Sequence, residues 1–160
     1  MNKNVLSVLV ENEAGVLARI SGMFSRRGYN IESITVGPSE EESLSRMVIV
    51  TNIEDVEQIQ KQLHKLINTI KVTNLSEQEY VDRELALVKV STKTNRSEII
   101  EIANLFRSRI IDVADDTMII EAIGDSEKVS ALIQILRPYG IKEVSRTGSI
   151  AMSRGKPSKV

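Results

Sequence analysis

The sequence predicts an α+β protein made of two βαββαβ units in tandem, each an antiparallel sheet with its helices on one face. Two observations predict this architecture. Short apolar runs rich in β-branched residues alternate with stretches of helical periodicity, and the order strand-helix-strand-strand-helix-strand occurs twice in 160 residues. A composition of 41% hydrophobic and 27% charged residues is typical of a chain with a packed core.

The first unit opens with a buried strand and continues with a helix that begins near Val16 and ends at Gly28. Asp55, followed three residues later by Gln58, predicts a capping box at the start of a second helix. The four strands are predicted over 5–10, 31–36, 47–51 and 70–75. The apolar stripes of the two helices are Val16, Leu17, Ile20, Met23 and Phe24, and Val56, Ile59, Leu63, Leu66 and Ile67.

The same order restarts after a polar segment, 77–84, which we interpret as a linker. A third helix is predicted to begin with a capping box of Asn95 and Glu98, and a fourth helix to end at Pro138 and Gly140. The strands of this unit are predicted over 85–90, 110–113, 118–123 and 142–152. The predicted domains, each a ferredoxin-like unit, are 1–76 and 85–160.

Charge and composition exclude several classes of function. With a net charge of −1 and a pI of about 6.0, the chain lacks the basic surface that nucleic acids or anionic membranes require. Without cysteine it has no disulfide, thiolate metal site or cysteine nucleophile. No signal peptide or membrane span is evident, so we expect a cytoplasmic protein. The basic segment 153–159 is interpreted as a frayed tail.

Residues that could carry catalysis or bind a metal do not form a convincing set. The single histidine, His64, lies in a polar helical segment and is interpreted as a surface residue. The acidic clusters Glu40–Glu42 and Asp115–Asp116 are interpreted as solvated loops rather than cation sites. No serine lies in a nucleophile-elbow pattern. We therefore expect neither an enzyme nor a metal protein.

One helix entrance of the first unit has residues that the second unit lacks. The sequence can be laid on itself so that the Met23-Phe24 pair falls over the Leu105-Phe106 pair. In that alignment Asn12, Gly15, Gly28 and Asn30 fall over Thr94, Ser97, Ile110 and Asp112. The second unit is predicted to fold without the glycines and asparagines, so we infer that the fold itself does not require them.

These residue types could bind a small zwitterion. Glycine at a helix entrance lets backbone amides approach a ligand, and free N–H groups together with the helix dipole favour a carboxylate or phosphate. The side-chain amides of Asn12 and Asn30 can bond to an ammonium or a carboxylate. An apolar wall could be formed by Ala14, Val16, Leu17 and Ile31. The combination fits an aliphatic amino acid, while the alternative that both glycines serve only turn geometry stays open.

Several motifs, in one order, cover nearly the whole chain. They are Asn12–Leu17, Phe24–Val36, Leu44–Met47 and Gln58–Leu66 in the first unit, and Arg83–Lys89, Phe106–Arg107, Ile110–Val113, Arg146–Gly148 and Ser153–Gly155 after it. Together they closely resemble the small regulatory subunits of acetohydroxyacid synthase, also called acetolactate synthase. Within this resemblance, the first unit is similar to an ACT domain.

The resemblance implies a function that spacing alone does not show. Members of this family bind a thiamine-diphosphate-dependent catalytic subunit, activate it, and confer feedback inhibition by valine in the synthesis of branched-chain amino acids. They perform no chemistry themselves, so thiamine diphosphate, Mg and FAD are expected only in the catalytic subunit, and no cofactor in this chain. In the family, two ACT domains form a homodimer side by side and hold the effector at their interface.

Carried onto this sequence, the effector site has two parts. The first strand-to-helix loop of one protomer supplies Asn12, Glu13, Ala14, Gly15, Val16 and Leu17, and the start of the second strand of the other supplies Asn30 and Ile31. Domain 1–76 would then bind effector and dimerise, and domain 85–160 would contact the catalytic subunit without a second valine site. The alternatives are a free-standing ACT-type sensor that regulates another enzyme and, less favoured, an independent small enzyme.

Overall fold

The structure, a computed structural model, describes residues 3–155 and confirms the two βαββαβ units. Of these residues, 3–81 together with 149–155 form one compact unit, and 82–148 form the other. The frayed tail predicted over 153–159 is wrong at its start, since Ser153 ends a strand and the Arg154 amide donates to the Glu79 carbonyl at 2.9 Å; beyond Gly155 it lies outside the described residues. None of the helices in this part of the chain is long and apolar enough to cross a membrane.

The first unit packs two helices on one face of a four-stranded antiparallel sheet. Its elements are β1 (Asn4–Glu11), α1 (Val16–Arg26), β2 (Ser33–Pro38), β3 (Leu44–Thr51), α2 (Val56–His64) and β4 (Thr69–Asn74). The strand order is β2-β3-β1-β4. Alternate residues of β1, such as Leu6 and Val8, are buried with Ile20, Phe24 and Ile59 of the helices. Each such side chain contributes roughly 1.5–3 kcal/mol on burial, so the apolar pattern decides which face the helices cover.

The predicted stripe of α2 is correct for four residues, of which Leu66 is partly buried against the core, and wrong for Ile67. Val56, Ile59 and Leu63 are buried, whereas the side chain of Ile67 is 86% exposed. The helix ends at His64, so Ile67 lies in the turn that follows, where the helical period no longer applies. Its neighbour Asn68 is the residue of that turn that is buried, with 5% exposure.

The second unit repeats this arrangement. Its elements are β5 (Tyr80–Ser91), α3 (Arg96–Leu105), β6 (Arg109–Val113), β7 (Thr117–Gly124), α4 (Ser126–Leu136) and β8 (Ile141–Arg146). The strand order is β6-β7-β5-β8, and Val88, Ile99, Ile120 and Leu132 are central in its core. Residues 80–84, expected in a linker, belong instead to β5. Their polarity suggested a linker, but Glu84 is buried against Arg146, a partner that composition does not reveal.

The closing strand expected over 142–152 is two strands. After β8, residues 147–149 lead to β9 (Ile150–Ser153), which pairs with β5. The side chain of Ala151 is buried in a cluster with Val5, Val48, Val50 and Leu75 of the first unit. Residues 149–155 therefore lie with the first unit, and not with the domain predicted over 85–160.

Strand register shows which residues of the two units correspond. The pairing of β1 with β4 shifts between Leu9 and Val10, and the pairing of β5 with β8 shifts between Lys89 and Val90. Just beyond these bulges, the amide of Asn12 donates to the Ser43 carbonyl and the amide of Thr92 donates to the Asp116 carbonyl, both at 2.8 Å. Asn12 thus corresponds to Thr92, and not to Thr94 as the sequence alignment suggested.

The helix ends extend this correspondence. The residue that precedes the first helix is Gly15 in one unit and Asn95 in the other. The left-handed residue that follows the helix is Gly28, with φ 67°, in the first unit and Arg107, with φ 52°, in the second. The predicted pairings of Gly15 with Ser97 and of Gly28 with Ile110 are therefore wrong. A short insertion in the first unit, between Gly28 and β2, contains Asn30 and Ile31.

Candidate functional site

The entrance of α1 is bare and open. Gly15 is its N-cap residue with φ 86° and ψ −6°, a left-handed conformation that suits glycine. No side chain caps this end, and its first turn holds no acidic residue. A Cβ atom at Gly15 would have no heavy atom within 4 Å, so the space beside the glycine is free of the described chain. The positive end of the helix dipole therefore faces an open surface.

Two other described helices, α2 and α4, are capped by side chains. The carboxylate of Asp55 accepts a hydrogen bond from the Gln58 amide at 3.0 Å, as predicted, and Asp125 accepts one from the Lys128 amide at 2.8 Å. The predicted capping box at Asn95 is not formed, since that side chain makes no capping bond. An aspartate at an N-cap already satisfies the amides that an anion would bind, so α1 differs from α2 and α4 in leaving them available.

Most of the predicted loop is accessible, with one exception. Asn12, Glu13 and Ala14 are exposed, and Leu17 is 46% exposed. The side chain of Val16 is only 4% exposed and belongs to the core. It was expected to form part of an apolar wall, but the helical period turns it inward. What Val16 presents at the entrance is its backbone amide, which makes only a long bond of 3.5 Å to the Glu13 carbonyl.

The two predicted parts of the site lie far apart within one chain. Asn12 is bonded to Ser43, which precedes β3, whereas the carbonyl of Asn30 accepts a hydrogen bond of 3.0 Å from the Thr51 hydroxyl, at the last residue of β3. At the usual rise of a strand, the eight residue steps from Ser43 to Thr51 separate these two points by roughly 26 Å. Ile31 packs at the margin of the core beside Asn30. A ligand that touches both parts needs a second copy of the chain.

Sequence reasoning missed a polar cluster behind the loop. The side-chain amide of Asn68 donates to the carboxylates of Glu11, at 2.7 Å, and Glu13, at 3.2 Å. Its oxygen accepts a hydrogen bond from the Arg19 guanidinium. The signal in the sequence is weak: Asn68 is one amide residue within Leu66–Ile70. The sequence interpretation placed the start of this segment in α2, which ends at His64.

The acidic loops show ordinary surface pairing. Glu40 forms an ion pair of 3.3 Å with Arg46, and Asp116 forms one of 3.7 Å with Lys93. A backbone hydrogen bond, and then the Arg46 guanidinium, lower the pKa of the exposed Glu40 carboxyl. Among the described residues, no group of three or more His, Asp or Glu side chains could hold a metal ion. His64 is exposed, as predicted.

Comparisons with known proteins match both units. Residues 6–71 match the family described as "AHAS small subunit-like ACT domain", and residues 83–155 match the family "Small subunit of acetolactate synthase". A probable acetolactate synthase small subunit of Archaeoglobus fulgidus is 55% identical over 156 residues, which cover 96% of this chain and 98% of the relative. The acetolactate synthase small subunit of Bacillus subtilis is 47% identical over 161 residues, covering 98% and 94%.

A solved structure agrees with these relatives. The crystal structure of the acetolactate synthase small subunit from Thermotoga maritima superposes with a TM-score of 0.90 at 42% identity, and covers 98% of this chain and 99% of that one. Fold and comparisons first define the class, a protein of two βαββαβ units whose first unit is an ACT domain. The chain belongs to the acetolactate synthase small-subunit family, which makes it a regulatory rather than a catalytic chain.

Proposed function

We propose that this protein activates the thiamine-diphosphate-dependent catalytic subunit of acetolactate synthase and makes it sensitive to feedback inhibition by valine. The catalytic subunit would hold thiamine diphosphate, Mg and FAD, and this chain would hold none of them. Membership of the small-subunit family supports the partner. The observation that carries the effector assignment is the uncapped, open entrance of α1 at Gly15.

In this proposal the carboxylate of valine binds the entrance of α1. The first-turn amides of Val16, Leu17 and Ala18 have no intrahelical acceptor before them, apart from the long bond from Val16 to Glu13. An anion at such an end contributes about 0.3–1 kcal/mol, and up to ~2 kcal/mol when partly buried. Asn12 and the partner's Asn30 would bind the polar groups. Ala14, Leu17 and the partner's Ile31 would enclose the methyl groups.

The site would be shared by two protomers of a homodimer. The separation of Asn12 and Asn30 along β3 within one chain supports this, because one small ligand cannot reach both in a single copy. A ligand that fits one arrangement of two ACT domains better than another shifts the equilibrium between them by its difference in affinity. Feedback inhibition would thus be a change in the geometry of the dimer, passed on to the catalytic subunit.

Selectivity among branched-chain amino acids should be modest. Burying a valine side chain contributes roughly 1.5–3 kcal/mol, and one methylene more or less changes an apolar contact by about 1–3 kcal/mol. Leu17, half-exposed at the entrance, can adapt its side chain to a slightly larger ligand. Isoleucine and leucine are therefore expected to inhibit, but at higher concentrations than valine.

The decisive variant is Gly15→Asp. A carboxylate at this position would lie where that of valine belongs, so we expect valine binding to weaken by roughly a hundredfold or more. Activation of the catalytic subunit should persist, because no core residue changes. Binding is measured by titration calorimetry of the purified chain, and activation and inhibition are measured with the reconstituted catalytic subunit.

Gly140→Asp is the matched control, since Gly140 has φ 87° against 86° at Gly15 and lies in the second unit. It introduces the same charge and a similar backbone strain away from the proposed site, so its valine response should equal that of the natural protein. Valine inhibition that survives Gly15→Asp would refute the site. Inhibition of the reconstituted enzyme without binding to the isolated chain would mean that the site forms only in the complex.

A further inference from the structure

Asn68 connects three segments around the entrance of α1. Its backbone carbonyl accepts a hydrogen bond of 2.9 Å from the amide of Glu11, the last residue of β1. Its side chain bonds to the carboxylates of Glu11 and Glu13 and to the guanidinium of Arg19, one turn into the helix. The strand end, the loop and the helix thus converge on one side chain, which is only 5% exposed.

Only an amide side chain fits these partners. Its NH₂ group faces two carboxylates and its oxygen faces a guanidinium, so a flipped amide would place like groups against each other. Aspartate has the same shape but no donor for Glu11 and Glu13. Alanine would leave Arg19 and both carboxylates without a shared partner. Hydrogen bonds to charged groups are the stronger ones, so this cluster holds the loop firmly.

The second unit shows that the fold does not require this side chain. At the corresponding place, the carbonyl of Gly140 accepts a hydrogen bond of 3.0 Å from the Ser91 amide, which repeats the backbone bond from Glu11 to Asn68. The strand registers therefore place Gly140 at the position of Asn68. Counted from the N-cap residues Gly15 and Asn95, the second unit has Lys93 and Ile99 where the first has Glu13 and Arg19. The backbone bond is common to both units, and the side-chain cluster belongs to the first alone.

From this comparison we propose that Asn68 is a positioning residue for the effector loop. It fixes the segment from Asn12 to Gly15 against α1, so that the first-turn amides and the ligand groups of the loop keep one geometry before an amino acid binds. Asn68 does not touch the ligand. The proposal rests on the assignment of the valine site to this loop, and it adds the residue that sets the loop's position.

The test uses Asn68→Asp and compares two measurements. In the chain without effector, hydrogen exchange of the amides in 14–18 should become faster, because the loop loses its shared donor. In the complex with the catalytic subunit, the valine concentration for half-inhibition should rise at least about tenfold. At saturating concentrations, the variant should activate the catalytic subunit to within about twofold of the level that the natural protein reaches, since the core of the unit is unchanged.

Asn74→Asp is the matched control. Asn74 is 8% exposed and is the last residue of β4, the strand that Asn68 precedes. Its side-chain amide donates to Glu77 at 2.8 Å. It loses an equivalent bond far from the loop, so valine sensitivity and exchange in 14–18 should not change. A second control adds Glu11→Gln to Asn68→Asp, because the new amide can donate to the new carboxylate. We expect the double variant, Glu11→Gln with Asn68→Asp, to recover most of the valine response.

Two results would overturn the proposal. One is slower or unchanged exchange in 14–18 for Asn68→Asp. The other is a valine response that weakens only in step with thermal stability, as for Asn74→Asp, without recovery by Glu11→Gln. If the natural protein itself shows no valine response, the assigned effector fails instead. The exchange measurement, which needs no effector, then decides the role of Asn68 by the same criterion.

Discussion

The two units share one strand register but differ in the polar side chains that pair beside the last strand. In the first unit, Asn68 lies just before β4 and serves the loop at the entrance of α1. In the second unit that position is Gly140, and the polar group lies at the far end of β8, where Arg146 bonds to Glu84 at 2.6 Å. Comparing the two units therefore distinguishes the backbone hydrogen bonds that both units make from the side-chain bonds that only one unit makes.

The comparison also shows how the entrances of the first helices of the two units differ. Both units have a bulge at the same place, and both make the same backbone bond from the residue after the central strand. The first unit then has a left-handed glycine before its helix, whereas the second has Asn95 with φ −129°. The left-handed entrance of α1 therefore results from the residues of the loop, and not from the architecture.

The largest expected effect comes from breaking the polar group of the second unit with Arg146→Ala. The variant removes the ion pair that Arg146, whose side chain is 31% exposed, forms with the buried carboxylate of Glu84. We expect the free energy of unfolding to fall by roughly 1.5–3 kcal/mol. Chemical denaturation measures it, and exchange of the β5 and β8 amides locates it. Valine binding should be retained under conditions where the first unit stays folded.

The exposed pair of Lys89 and Glu143, in the same sheet, provides the control. Its atoms are 3.5 Å apart and both side chains are substantially exposed, so Glu143→Ala should change stability by less than about 1 kcal/mol. Similar losses of stability for the two variants would show that the pair of Arg146 and Glu84 contributes no more to folding than an exposed pair in the same sheet.

An intermediate effect is expected where the two first helices end. The amides of Gly28 and Arg107 make equivalent bonds to the preceding turn, but Gly28 has φ 67° and Arg107 has φ 52°. Gly28→Ala should destabilise by about 1–2 kcal/mol, because a side chain is strained in the left-handed region. Arg107→Gly should stabilise by up to ~1 kcal/mol for the same reason. Thermal unfolding of both variants tests this, and a loss of stability in Arg107→Gly would contradict it.

The smallest expected effect concerns the helix caps. Asp125→Ala removes a capping bond of 2.8 Å and should cost about 0.5–2 kcal/mol. Asn95→Ala should cost less, because the Asn95 side chain makes no capping bond. The two unfolding free energies, measured side by side, show whether α3 depends on its N-cap residue. Equal losses would mean that Asn95 contributes in a way that its geometry does not show.

Part of the local geometry at the entrance of α1 could be predicted from the sequence. A glycine before a helical stripe predicts an entrance that a ligand can approach, and Gly15 is the N-cap residue of an uncapped helix, with φ 86°. The helical period also predicts that the side chain of Val16 points into the core. The expectation that the same side chain lines the ligand site conflicts with that period. The cluster around Asn68 could not be predicted, because Glu11, Arg19 and Asn68 are distant in sequence and meet only when β4 lies beside β1.

The sequence by itself determined the order of elements, the two units and the apolar faces, because these depend on periods of two and 3.6 residues and on turn chemistry that act over a few residues. Only the tertiary structure decided the correspondence between the units, the place of β9 with the first unit, and the partners of Asn68 and Glu84. Those features depend on strand register and on contacts between distant segments. A shift of one residue in the pairing of two strands changes every such contact, although the sequence of each strand stays the same.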